Sequence, residues 1–166
     1  MLVRGNASDP LTGTLAHNTI AQNGDQGVYV GWYDSGYAVV ALINNIIVSH
    51  TTGIYSYKDP DKPELVNVVT ATCTLFYGNG FDTDPYGGPV VRITDTVGVA
   101  PLFVNPAGWN YHIAGNSPAV DHGMDVPWVV TDVDSEPRPS HARYDIGADE
   151  VQWKYVHIPL VMKRHR

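Results

Sequence analysis

Cysteine is almost absent: Cys73 is the single one in 166 residues, so no disulfide can form within the chain. Basic residues are also scarce. Ten Lys and Arg face 17 Asp and Glu, giving a formal net charge of −7 at pH 7. Phosphate contact needs a basic patch, and none occurs before the last few residues, so no nucleic-acid partner is expected. No apolar run approaches the roughly 20 residues of a membrane span. The opening MLVRGNASDP lacks the apolar stretch of a signal peptide. No segment sustains a 3.6-residue apolar period, which excludes a helical bundle. What the chain has instead is glycine (16) and proline (12) with 43% hydrophobic residues, a mixture that suits a turn-rich β protein rather than a disordered one.

An internal repeat organises the first hundred residues. Asn18-Thr-Ile20-Ala-Gln-Asn23, Asn45-Ile-Ile47-Val-Ser-His50 and Thr74-Leu-Phe76-Tyr-Gly-Asn79 align without gaps, at offsets of 27 (18 to 45) and 29 (45 to 74). Gly27-Val-Tyr-Val30 and Gly53-Ile-Tyr-Ser56 follow the first two. Ala38 to Ile43 and Leu65 to Ala71 precede the last two. Each unit is three short β-prone stretches separated by polar or glycine turns, at a period too short for a propeller blade. The expected fold is therefore all-β, a parallel β-helix in which each strand pairs with its equivalent one coil away. Ile20, Ile47 and Phe76 should stack inside, with Asn23, His50 and Asn79 in a turn column bonding turn backbone. Lys58 to Pro63 and Phe81 to Pro89 read as loops, and Val90 to Ile93 as one further strand.

From Val99 the chain changes character. Ala100-Pro-Leu-Phe-Val-Asn-Pro106 leads to Trp109-Asn-Tyr-His-Ile113 and Gly115-Asn-Ser-Pro-Ala-Val-Asp121, then Asp132-Val-Asp-Ser-Glu-Pro-Arg-Pro139 and Tyr144-Asp-Ile-Gly-Ala-Asp-Glu150. In order, these motifs resemble the ending of bacterial right-handed β-helix proteins of the choice-of-anchor Q or pectate-lyase-like kind, over about residues 15–150. Departures are Val99-Ala100 where an acidic residue usually precedes Pro101, Ser135 for the usual glycine, and His122 for a small residue. The resemblance implies a right-handed β-helix of about three to four coils with an irregular C-terminal cap. The expected division is coils over 1–98, a cap over 99–150 and a tail over 151–166 that could be a sorting or attachment segment. The cap is expected to fold its aromatics (Phe103, Trp109, Tyr111, Trp128) over the open end of the helix. Leu2 to Asn6 look like the end of a preceding coil. Missing upstream coils, an upstream signal peptide and self-association through the uncapped N-terminal end are accordingly expected.

Chemistry-bearing patterns are few. Gly115-Asn-Ser117-Pro-Ala119 has proline after the serine and no helix to follow, so it reads as a turn and not as a nucleophile elbow. The repeats carry no acid pair on one face and no strand-borne base beside clustered aspartates, as a hydrolase or a lyase would need. No catalytic residue is assigned. Asp132, Asp134, Asp145 and Asp149 are candidate Ca²⁺ ligands, against the alternative of an Asp–Arg network with Arg138 and Arg143 that holds the cap. Tyr29, Trp32, Tyr33, Tyr55 and Tyr57 are candidate carbohydrate contacts, since outward aromatics can stack on sugar rings. The histidines show no metal-ligand spacing, and no cofactor beyond Ca²⁺ is indicated. The expected function is the non-catalytic terminal part of an extracellular or cell-surface β-helix protein, as scaffold or polysaccharide binder. The alternative is a fragment of a polysaccharide lyase or glycoside hydrolase whose groove lies mostly in upstream coils.

Overall fold

The computed structural model describes residues 2–3, 10–22, 24–31, 36–86 and 88–153. The regular structure of the described residues is all β apart from one 3₁₀ turn at Pro106–Gly108. Three parallel sheets stack the repeat units. In the first, β1 (Leu2–Val3), β4 (Gln26–Val30), β7 (Thr52–Tyr57) and β10 (Phe81–Tyr86) lie side by side. The second holds β2 (Leu11–Ala16), β5 (Ala38–Ile43), β8 (Val68–Thr72) and β11 (Val90–Thr94). The third holds the three-residue strands β3 (Thr19–Ala21), β6 (Ile46–Val48) and β9 (Leu75–Tyr77). Each strand pairs with its counterpart one repeat away, which is consistent with a parallel β-helix. No helix among the described residues is long and apolar enough to cross a membrane.

The turns show why this sequence adopts the pattern. His17, Asn44, Cys73 and Asp95 occupy equivalent positions before or beyond the short strands, and all have φ between 47° and 55°. Gln22, Ser49 and Gly78 form a second left-handed column on the other side. Left-handed backbone costs a non-glycine residue about 1–2 kcal/mol. Side-chain bonds between repeats offset that cost. The Asn45 amide donates to Leu15 O at 2.9 Å and its oxygen receives Asn18 N at 3.0 Å. Asn79 accepts from His50 N at 3.1 Å and donates to Ile47 O at 3.0 Å. The expected turn column thus exists at His50 and Asn79, while Asn23 lies outside the described residues. Asn67, which sequence reasoning did not single out, is buried and does similar work, accepting from Ala38 N at 2.7 Å and donating to Tyr57 O at 2.6 Å.

Ile20, Ile47 and Phe76 are in register and join Leu42, Ile54 and Val69 in the interior core. Two local expectations are corrected. Phe81 to Tyr86 is a strand and not a loop, paired with β7 from Thr52 to Tyr57. An edge position tolerates Pro85 and the aspartates that count against a central strand. The strand expected from Leu65 begins at Val68, after a turn closed by Lys62 N on Asp59 O and by Asp61 N on the Asp59 carboxylate.

The larger correction concerns the C-terminal segment. It does not lie over the open end, where Phe81 and Tyr86 of the last strand stay exposed. It runs along the outer flank of the third sheet. Ile46, Val48 and Leu75 turn outward there, and the segment covers them with Ile113, Ala119 and Ile146. Close approach is enforced by glycine. Gly147 has φ +106°, and a Cβ there would sit 2.6 Å from the Ile46 side chain, while Gly147 N donates to Asn44 O at 2.8 Å. Gly147→Ala should therefore destabilise the protein by ~2–3 kcal/mol through overpacking and backbone strain. A urea midpoint unchanged from the parent would contradict this.

Candidate functional site

The flank segment contains a short antiparallel hairpin, β12 (Phe103–Asn105) and β13 (Asn110–Ile113), closed by the 3₁₀ turn. Asn105 caps that turn, accepting from Gly108 N, and Trp109 follows in left-handed conformation at φ 62°. This turn leaves the Trp109 indole 74% exposed, edge-on to Tyr111 at 6.5 Å and 75°. Beside it opens a cleft of about 260 Å³, lined by Thr19, Trp109, Tyr111, His112, Val133, Ala148 and Asp149. A second, largely apolar cleft of about 250 Å³ lies against Tyr111 as well, with Val48, Tyr77 and Phe103 among its walls. The Tyr111 hydroxyl is buried without a hydrogen-bond partner.

Polar groups converge on the Trp109 cleft. His112 is held between Asn110 and Asp134, its Nδ1 2.6 Å from Asn110 Oδ1 and its Nε2 2.7 Å from Asp134 Oδ2. The Asp134 carboxylate raises the imidazole above its usual pKa. Asp149 accepts from Ile113 N at 2.8 Å, and burial pushes its carboxyl up. His112, Asp134 and Asp149 bring one nitrogen and two oxygens within 4.8 Å of one another, and Asp132, Asp134 and Glu136 form a second such group.

The four aspartates expected as a Ca²⁺ set divide between two places. Asp132, Asp134 and Asp149 gather here. Asp145 is buried elsewhere, its two oxygens taken by Asp121 N at 2.7 Å and Val151 N at 2.8 Å. Of the carboxylate–arginine network weighed against the Ca²⁺ set, the pair that forms among the described residues is Arg138 with Glu150. Arg138 bonds Glu150 at 3.1 Å with both side chains sealed from solvent, and the aspartates mostly accept backbone N–H groups. Removing one partner of such a pair leaves an uncompensated buried charge, so Arg138→Met should cost about 3–5 kcal/mol. The double variant Arg138→Met/Glu150→Leu should recover much of that loss in thermal unfolding.

The tyrosines of the first sheet are outward, Tyr29, Tyr55 and Tyr57 half-buried and Tyr86 on the edge strand exposed, and their rings stack in pairs. Tyr29 and Tyr55 lie 5.4 Å apart at 20°, and Tyr57 and Tyr86 lie 5.7 Å apart at 9°. The faces shared within each stacked pair are not open to a sugar ring. Trp32 and Tyr33 lie outside the described residues. Trp109 is the most exposed aromatic among the described residues, ahead of Trp128, Phe81 and Tyr86, and it borders a cleft with His112 and Asp149; sequence reasoning assigned it to the cap. Its place after Pro106-Ala-Gly108 was the available signal, since a tight turn projects the next side chain.

No family model matches the chain, and no curated protein or solved structure matches it either. The site must be read from its own geometry.

A buried pair of titrating groups ties flank to repeats. The Asn44 amide is fixed by Met124 N and O at 2.9 and 2.8 Å, so its nitrogen donates to His17 Nε2 at 3.0 Å. His17 Nδ1 lies 3.1 Å from Asp145 O and 3.0 Å from the Arg138 guanidinium, so the neutral ring donates to the first or accepts from the second. Burial and the Arg138 charge push His17 down to about 4. Burial pushes Asp145 up to about 6. Between about pH 4 and 6.5 the unfolded His17 binds a proton that the folded one refuses, so its contribution to stability grows with pH. Asp145 acts oppositely, since from pH 3.8 to about 6 the folded state holds the extra proton and stability falls as pH rises. Urea midpoints across this window should rise with pH in Asp145→Asn and fall in His17→Asn. The parent should change less than either; a parent slope steeper than both would be inconsistent with these assignments.

Proposed function

We propose that the chain is the terminal part of a right-handed parallel β-helix protein, with three to four coils here, that works outside the cell or at its surface and binds carbohydrate without cleaving it. The stacked parallel pairing and the ordered C-terminal motifs support the architecture. The observation that carries the binding is Trp109, an indole held open to solvent in one cleft with His112 and Asp149, with Asp134 bonded to His112 at its rim. Keeping a large apolar face in water is unfavourable by roughly 25 cal/mol per Å² of apolar surface, and a ligand ring laid on it recovers that free energy. Hydroxyls at the ring edge then find a carboxylate or an imidazole to bond, the usual mix of an apolar platform with a few placed polar groups.

The non-catalytic reading rests on where the acids are and what they already do. They gather on the flank segment and not on adjacent repeats, and each of Asp132, Asp134 and Asp149 is engaged by a backbone N–H or by His112. A glycan array followed by titration of the best ligand tests the reading. Trp109→Ala should weaken binding at least tenfold with an unchanged melting temperature, because the exposed indole packs little of the fold. No glycan binding above background would overturn the binding half. Release of new reducing ends from a bound polysaccharide would overturn the non-catalytic half.

A further inference from the structure

Carboxylates outnumber cationic groups around the Trp109 cleft. Asp149 lines it, Asp134 reaches it through His112, and Asp132 and Glu136 stand behind Asp134. The nearest basic groups are committed: His112 is bonded to Asp134, and Arg138 is sealed in its pair with Glu150. A chain of uronic acids or sulfated sugars would bring like charge to this wall. A neutral sugar would bring no charge to meet the carboxylates. Meanwhile Trp109 and Tyr111 meet at 75°, so the two rings form an aromatic corner beside the carboxylates. A cation over an aromatic face gains about 0.5–1 kcal/mol at an exposed site and more when desolvated. A charged N–H donor to a carboxylate is among the stronger hydrogen bonds available.

Resting on the reading of this cleft as a carbohydrate site, we propose that its ligand is a glycan carrying free amines, with the sugar ring on Trp109 and the ammonium directed to the Asp134 and Asp149 carboxylates. An ammonium offers three donors and no acceptor, which matches a wall of acceptors. An N-acetyl group at the same position carries no charge and one donor. The preference is therefore electrostatic, and it should weaken as salt screens the exposed Asp134.

The test compares three oligosaccharides of equal length by titration at a pH where the amine is protonated: a glucosamine oligomer, its N-acetylated counterpart and a galacturonic acid oligomer. The glucosamine oligomer should bind at least tenfold tighter than the N-acetylated one, and the uronic acid oligomer weakest. Asp134→Asn, an exposed substitution away from the packed flank, should shrink the preference severalfold while Trp109→Ala lowers binding of every oligomer that binds. Equal affinity for the amine and acetyl forms, or tighter binding of the uronate, would overturn the amine preference and leave the carbohydrate reading standing. Absence of binding by all three and by every glycan on the array would overturn both.

Discussion

Ile46, Val48 and Leu75 impose the constraint that shapes this molecule. A three-residue strand must point its middle side chain one way and its two ends the other. With Ile47 and Phe76 directed into the core, these apolar neighbours are turned outward. A sheet that is apolar on both faces needs cover on both. The segment from Val97 to Val151 supplies it, and the paths of the hairpin, the Gly147 approach and the Asn44 clamp all follow from the need to lie flat against that strip. Trp109 stands in the open because Phe103 and Ile113, its neighbours on the hairpin, are the residues that face the flank.

A segment that covers a sheet without forming one must satisfy its backbone some other way. Here aspartate and glutamate carboxylates take the place of partner strands. Asp121 receives Ala142 N and Arg143 N, Asp132 receives Asp134 N, Glu136 N and Glu150 N, and Glu150 receives Ser140 N and Asp145 N. A carboxylate has about four lone-pair sites and can collect two or three donors from an irregular path, which no amide does as well. This accounts for the acid-rich motifs of the C-terminal third without any metal. It also leaves a negative rim around the Trp109 cleft, so the structural solution and the proposed ligand preference share one cause.

The repeat was legible because register in a stacked sheet is written directly in sequence: equivalent positions recur at nearly constant offset, and Ile20, Ile47 and Phe76 could be aligned by eye. Asn79 and His50 were legible for the same reason. The strand at Phe81 was not, since Asp82, Asp84 and Pro85 argue against a strand until its edge position is known. The course of the C-terminal segment was also hidden. The run Ile46-Ile-Val48, apolar at three successive positions, was the available sign that a second layer covers the flank. The tyrosine row was placed correctly on an outward face, but sequence spacing does not reveal that rings 5.4 Å apart turn toward each other. Trp109 was seen and given the wrong task, because exposure after a turn depends on what the turn packs against.

The clamp between His17 and the Arg138 to Glu150 stretch joins residues more than a hundred positions apart. The repeats, by contrast, pair over fewer than thirty positions and can form as each one is made. During synthesis the Ile46, Val48 and Leu75 strip is therefore complete and uncovered for as long as it takes to add the seventy-odd residues up to Val151. Contacts this distant in sequence close last and slowly. Over that interval the nascent chain carries a bare hydrophobic stripe beside open strand edges, the combination most prone to capture by a neighbouring chain. Slow docking of the flank, rather than weak pairing of the repeats, is thus the step at which this fold is most exposed to misassembly.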